Sequence, residues 1–301
     1  MNNKNTHGIR LALLAAVLYA LNAPFSKLLL AYVPSTIMAG LLYLGAGAGM
    51  VLIQLYRKHK GDTKELHLTA AEFPYTAGMI LLDIAAPVSL MYGLARTTAA
   101  NASLLNNFEI TATALIAFAL FGEKISGRLA AGILFVTFSC CLLSLEDLSA
   151  FTFSKGSLFV LLAAVFWGLE NNCTRKLSAK DPLEIVLLKG IFSGSGSLLI
   201  GFLTGERITV FIAVPFVLLL GLCAYGLSIY CYVYAQRELG ASRTSAYYAA
   251  APFIGVILSL IIFHEIPTAG YYAALILMLA GAWLCADDRP LKETIKPLFK
   301  H

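Results

Sequence analysis

This sequence is short of charge. Aspartate, glutamate, lysine and arginine make up 13% of its 301 residues, about half the roughly 25% of a soluble domain. With 59% hydrophobic residues and a mean hydropathy of +0.78, the chain cannot clothe a water-facing surface, which excludes a soluble enzyme or binding domain. Paired cysteines are missing as well. The six cysteines, at 140, 141, 173, 223, 231 and 285, fall in or at the ends of apolar stretches and form no C-x-x-C. They read as small buried hydrophobes, so neither a disulfide framework nor a metal site is expected. The five histidines lie in tails or loops. H-E-x-x-H, a phosphate-binding G-x-x-x-x-G-K-[ST] and a nucleophile elbow are all absent. The sequence therefore names no enzyme chemistry, no ATPase of its own and no cofactor.

What is present is apolar length. Ten segments, about 9–31, 35–56, 71–95, 99–121, 128–145, 155–177, 183–204, 211–236, 241–263 and 270–286, each approach the ~20 residues that cross a bilayer core. In lipid a spanning segment must satisfy its own backbone hydrogen bonds, so each is a helix. The expected fold is an all-α integral membrane protein with ten transmembrane helices. The net charge of +5 follows the loops and is no nucleic-acid footprint. With the N-terminus inside, seventeen lysines and arginines flank the inner ends and only Arg96, Lys155 and Arg207 lie outside; Lys27 and Lys189 lie within spans. By the positive-inside rule both termini are cytoplasmic, in a plasma (inner) membrane. Residues 1–24 superficially resemble a secretory leader, but an equivalent segment recurs deep in the chain, which argues against cleavage.

That recurrence is an internal repeat. A-A-V-L-Y-A-L-N-A-P-F-S-K-L-L at 15–29 aligns with A-A-V-F-W-G-L-E-N-N-C-T-R-K-L at 163–177, at an offset of 148. Pro34 falls on Pro182, and the small-residue run 45–49 falls on 193–197. Later the offset shortens to 142 and F-G-E-K-I-S at 121–126 meets F-H-E-I-P-T at 263–268, placing Glu123 on Glu265. Five spans per copy is odd, so the second copy enters from the opposite side. The expectation is two inverted five-helix repeats, 1–150 and 151–301, with a substrate site between them near the midplane. Glycines 40, 45, 47 and 49 in span 2, and 190, 194, 196 and 201 in span 7, serve close helix packing.

Polar residues inside the spans mark candidate chemistry. Asp83 precedes Thr97 by 14 residues and Glu109 follows it by 12, which puts both about 18–21 Å from the outer turn of the span 3–4 hairpin, near mid-depth. A charge there costs roughly 2.5–3.5 kcal/mol on insertion scales, and the hairpin offers no base at that level. Two readings stand: neutral acids bonded to amides or phenols as structure, or groups that carry a proton or bind a cation. Asn106 lies one turn from Glu109. Glu170 and Lys189 match in depth from the inner face and read as an ion pair, with substrate contact as the alternative. Asn22 and Asn171 are cavity donors or interhelical glue. Tyr225 is the repeat partner of Asp83, and a ring facing two carboxylates suits an organic cation; Tyr248 in span 9 joins the candidates. Lys27 and Arg175 are expected to snorkel to the membrane faces.

Further residues carry a resemblance. W-G at 167–168, the spacing from Pro182 to Lys189, and A-x-x-x-L-G-A-S-R-T-S-A at 235–246 followed by Pro252 and F-H-E at 263–265 are matched in the first half by Y-G-L-A-R-T-T-A-A-N-A-S at 92–103 and F-G-E at 121–123. Over nearly its whole length the chain resembles the drug/metabolite transporter superfamily, EamA type. The resemblance implies a secondary transporter, ion-coupled with the proton as preferred ion, exporting a small polar or cationic metabolite, amino acid or drug. It also allows a homodimer. The chain departs from that pattern where Lys189 replaces an arginine and where Ile110 stands in place of a span 4 proline. An enzyme or lipid-headgroup-handling protein using the same carboxylates is the alternative.

Overall fold

The computed structural model describes residues 3–59, 67–122, 125–147, 152–177, 180–239, 244, 247–264 and 267–285. Eight helices in it are long and apolar enough to cross a membrane, and two more are apolar but shorter. In chain order they are α1 (Thr6–Leu29), α2 (Ser35–His59), α3 (Ala70–Ala95), α4 (Ala99–Leu120), α5 (Gly127–Ser144), α6 (Lys155–Leu177), α7 (Pro182–Leu203), α8 (Phe211–Ala235), α9 (Ala251–Phe263) and α10 (Ala269–Cys285). The protein is a multi-pass, all but wholly helical membrane protein. Glu123, Lys124, Glu265, most of the motif at 240–246 and the join near residue 150 lie outside the described residues.

Two features differ from the sequence expectation. A helix was expected over 241–263; the structure describes helical residues at 244 and 247–248, a turn, and then α9 from Ala251 with Pro252 in its first turn, 13 residues long. Proline has no N–H to give to a preceding turn, and residues 249–250 form a turn instead. At 1.5 Å per residue α9 is about 20 Å long, shorter than the other apolar helices. The second is a small antiparallel ribbon pairing Leu145–Asp147 with Thr152–Phe153, an exception to the all-α expectation at the join of the halves.

α3 packs on α6, α1 on α8, α2 on α7 and α8, and α5 on α10, while α4 lies between α6, its more extensive partner, and α9. α2 is the central element, 72% of its apolar window being buried against 39–50% in the other seven long helices. Ile37, Met38 and Leu42 from α2 and Leu90, Met91 and Leu94 from α3 are fully buried. Backbones touch where side chains vanish. A methyl group on Gly221 would lie 2.0 Å from Leu42 O, and one on Gly190 would lie 2.4 Å from Gly47 Cα. Such contacts drive helix association where lipid removes the hydrophobic contrast.

Helix ends are held by specific acceptors and donors. Thr98 Oγ1 accepts from Asn101 N at 3.1 Å to cap α4, and Asp181 Oδ1 accepts from Leu183 N at 3.0 Å ahead of Pro182 to cap α7. The first turn of α2 is capped from afar: Glu206 accepts from Ile37 N at 2.9 Å and from Thr36 Oγ1 at 2.9 Å. Such caps satisfy donors that have no intrahelical partner. Buried Arg128 of α5 donates to Leu284 O at 3.1 Å and Trp283 O at 3.2 Å, and its guanidinium lies 4.8 Å from the Trp283 ring centre. Gly122 and His264, 142 residues apart, both take the left-handed conformation, at φ 66° and 51°, as the caps ending α4 and α9.

Candidate functional site

Four helices lose regularity where the sequence places polar residues. α1 breaks at Leu21, just before Asn22, and α4 breaks at Asn106–Asn107. α7 widens to a π-helical turn over Lys189–Ser193, and α8 does the same over Leu222–Leu227, a stretch that includes Tyr225. A π turn fits an extra residue into the helix and so re-aims the side chains on either side of it, which is why such turns concentrate at functional positions.

Lys189 is the hub. Its ammonium stands 2.6 Å from Glu170 Oε1 of α6 and 3.4 Å from Asp83 Oδ2 of α3. Thr174 Oγ1 also donates to Glu170 Oε1, and Tyr43 OH of α2 donates to Asp83 Oδ1 at 2.9 Å. Trp167 Nε1 reaches Tyr43 OH at 3.5 Å. Asp83 and Glu170 are buried, and the Lys189 side chain is 12% exposed. Four helices, α2, α3, α6 and α7, thus meet on one base and two acids. Unlike the longer bond lengths of a loose contact, 2.6 Å is the length of a charge-assisted hydrogen bond.

Glu109 forms a second arm. Asn171 Nδ2 of α6 donates to Glu109 Oε1 at 2.7 Å and approaches Thr113 Oγ1 at 3.3 Å. Neighbouring Asn172 turns instead to Thr113 O and Gly168 O, tying α6 to α4. Tyrosines of α1, α2 and α8, with Tyr248 just ahead of α9, pack into one cluster that reaches Asp83 through Tyr43. Tyr225 lies 5.1 Å from Tyr43 and 6.2 Å from Tyr19, centre to centre; Tyr248 lies 5.8 Å from Tyr19 and 4.9 Å from Tyr232. Asn22 Nδ2 donates to Tyr225 OH at 2.9 Å, while its Oδ1 accepts from Ser26 Oγ at 3.0 Å.

The structure gathers Asp83, Glu170, Lys189, Tyr225 and Asn22 into one linked region, and Glu109 with Asn171 beside it. Two particulars depart from the sequence reading. Glu170 and Lys189 were read as a pair, whereas the lysine also faces Asp83; the hairpin of α3 and α4 has no base, but α7 supplies one. Asn106 was placed to bond Glu109, whereas the break turns the backbone so that Glu109 N donates to Asn106 O at 3.1 Å and Asn171 takes the carboxylate. Lys27 reaches Leu94 O and Thr97 O at 2.5 and 2.7 Å, tying α1 to the α3–α4 turn. Tyr43, Thr113 and Tyr19 were not singled out from the sequence. The signal for Tyr43 was a phenol in the middle of an otherwise apolar span.

With this geometry in view, the comparisons are informative. The model of the EamA-like transporter family matches residues 6–145 and 154–286. The chain belongs to that family. An uncharacterized transporter of Methanothermobacter thermautotrophicus is 25% identical over 287 residues, covering 90% of this chain and 83% of the relative. The uncharacterized transporter YvbV of Bacillus subtilis is 25% identical over 290 residues, covering 91% of each. A solved crystal structure, 20% identical, covers 93% of this chain and 94% of its own with a TM-score of 0.65, a likeness of fold alone. As an EamA-like transporter the chain moves a small molecule across a membrane, so the polar centre lies in a transport protein.

Proposed function

We propose that this chain is a proton-coupled secondary transporter for a small polar or cationic metabolite, amino acid or drug, working as an exporter, with its site between two inverted five-helix repeats, 1–150 and 151–301. The observation that carries the reading is that one base, Lys189, meets two acids, Asp83 and Glu170, while a third acid, Glu109, is held by Asn171 of the helix that carries Glu170, all in the apolar middle of the helices. That inventory leaves an excess of acid, which a low-dielectric interior tolerates only when protons or a bound cation balance it. The pairings of α2 with α7, α4 with α9 and α5 with α10 support a two-fold relation of the halves, as do the left-handed caps 142 residues apart and the two stretches matched by the family model.

Lys189 couples the halves because its two acids come from different ones, Asp83 from the first and Glu170 from the second. A proton on Asp83 leaves the lysine to Glu170 alone and frees α3 from α7; loss of that proton draws them together again. Glu109, held by Asn171, is the second acid able to exchange a proton for a cation. The tyrosine cluster supplies faces for the apolar body of a substrate. Both termini lie on the cytoplasmic side of the plasma membrane in this arrangement.

The test is flux in proteoliposomes under an imposed pH gradient, against a panel of amines and amino acids. Asp83→Asn and Glu109→Gln fold as the parent does, and at least one loses pH-driven flux. Tyr225→Leu raises KM. Both amide variants transporting at the parental rate with an unchanged pH profile would overturn the reading.

A further inference from the structure

Asp83 presents its two carboxylate oxygens to different helices. Oδ1 accepts from Tyr43 OH of α2 at 2.9 Å. Oδ2 faces Lys189 Nζ of α7 at 3.4 Å and is buried with no hydrogen bond of its own. A phenol carries one hydrogen, and an indole nitrogen can only donate. Trp167 Nε1 approaches Tyr43 OH at 3.5 Å, so the phenol hydrogen is committed to Oδ1. Trp167 and Glu170 share one face of α6, and Glu170 accepts from Lys189 at 2.6 Å. Trp167, Tyr43, Asp83, Lys189 and Glu170 thus form a ring of side chains that leaves α6, crosses α2, α3 and α7, and returns to α6.

The ring sorts the two oxygens by what each can do. Oδ1 is filled from the Tyr43 side, which leaves Oδ2 to take a proton. Oδ2 also points toward the wetter neighbour: Tyr43 is 5% exposed, whereas the Lys189 side chain is 12% exposed. The terminal torsion of an aspartate is broad and two-fold, so a free carboxyl would exchange its oxygens by rotation. The bond from Tyr43 opposes that rotation, and packing on Tyr225 at 5.1 Å holds the ring that carries the hydroxyl. The groups that face Asp83 are Tyr43 from α2, Lys189 from α7, Glu170 and Cys173 from α6, and Tyr225 from α8. Lys189 divides itself between Asp83 and Glu170, whereas Tyr43 gives its one hydrogen to Asp83.

We propose that Tyr43 is the positioning residue for proton exchange at Asp83, holding the carboxyl in one orientation and assigning the exchanging proton to Oδ2, opposite Lys189. One proton moves between Oδ2 and water, and Tyr43 keeps its own hydrogen throughout. A hydrogen bond donated to a carboxylate favours the charged form, so Tyr43 also sets the pH at which Asp83 takes up its proton. The inference deepens the transporter reading and rests on one part of it, that Asp83 exchanges a proton.

The test is an infrared pH titration of the full chain in lipid vesicles, with pH-driven flux measured in the same vesicles. In the parent a protonated-carboxyl C=O band grows as pH falls, and Asp83→Asn removes it. Tyr43→Phe keeps the ring and loses the hydroxyl. It is expected to move the midpoint of that band up by about one pH unit and to raise its frequency, because the carbonyl has lost a donor. The pH midpoint of flux moves with it. Trp167→Phe weakens the phenol as a donor by removing the group that polarises it, and is expected to give a smaller shift of the same sign. Tyr19→Phe removes a phenol one ring further from Asp83, beyond Tyr225, and is expected to leave the band in place. A band unmoved by Tyr43→Phe, or moved as far by Tyr19→Phe, overturns the inference. Should Tyr43→Phe fail to fold, a band unmoved by Trp167→Phe overturns it. A parent with pH-driven flux but no band that Asp83→Asn removes also overturns it, and leaves Glu109 as the coupling acid with the transporter reading intact. A band that shifts as expected in a chain without pH-driven flux upholds the role of Tyr43 and condemns proton coupling of transport.

Discussion

Helices α4 and α9 pack on each other, and a turn interrupts the helical path at 106–107 in the one and at 249–250 ahead of the other, yet by different means. α9 starts its regular stretch at Ala251, with Pro252 next, and the turn ahead of it carries Ala249 and Ala250. α4 lacks the proline and breaks at Asn106–Asn107, with Glu109 in the first turn that follows. A similar contrast separates α2 from α7, where Leu41 of the first corresponds to Lys189 of the second. The lesson is that neither backbone irregularity nor chemistry is copied across these packed pairs: α7 widens at Lys189–Ser193 beside a continuous α2, and only α4 sets amides and an acid at its break.

The largest effect expected from breaking this contrast is at Lys189. Lys189→Leu copies α2's leucine into α7 and strands Asp83 and Glu170 beside each other, with a loss of about 3–5 kcal/mol, typical when one partner of a buried pair is removed. Adding Glu170→Gln and Asp83→Asn should recover much of it. Unfolding yields in a double-mutant cycle measure this, and strictly additive losses would show that the three side chains do not interact.

A smaller effect, of opposite sign, is expected at the α4 break. Asn107→Leu removes a buried unpaired oxygen and should leave stability unchanged or raise it by about 1–2 kcal/mol. Melting temperatures of the ligand-free protein decide it. A large loss would mean that Asn107, through its bond to Leu104 O, is what shapes the break.

The smallest effect concerns the ends of the same two helices. His264 adopts a left-handed conformation that costs a side chain about 1–2 kcal/mol, whereas Gly122 at the equivalent place adopts it freely. His264→Gly should therefore stabilise by about 1 kcal/mol, and Gly122→His should destabilise by a similar amount. Thermal unfolding of the two variants compares them directly; no shift in either would show that the left-handed caps carry no such cost.

Much of the fold was legible because bilayer thickness imposes length and hydropathy on each segment, and lipid leaves the backbone no choice but helix. Asp83, Glu109, Glu170 and Lys189 stood out because charge in an apolar run is expensive. What could not be read is which faces meet. The approach of Lys189 to Asp83 depends on a π turn that changes the phase of α7 relative to its α-helical spacing, and sequence periodicity assumes that phase is constant. The bond from Tyr43 to Asp83 depends on how closely α2 approaches α3, which glycine contacts on the far side of α2 help to fix. The turn ahead of α9 was hidden because Tyr247–Ala251 give no polar break, and only Pro252 signals the start of the regular stretch.

The widened turns in α7 and α8 are also reserves of slack. A π turn holds one residue more than an α turn in nearly the same height, so drawing Lys189–Ser193 into regular α-helix would twist one end of α7 against the other by about 100° and lengthen it by about 1.5 Å. Lys189 stands at the edge of that turn, with Glu170 within 2.6 Å on one side. A rotation of that size would carry the ammonium off its acid and would shift Gly190, inside the same turn, against Gly47. The helix is thereby geared: a change of one residue in winding becomes a change of partner for a charge.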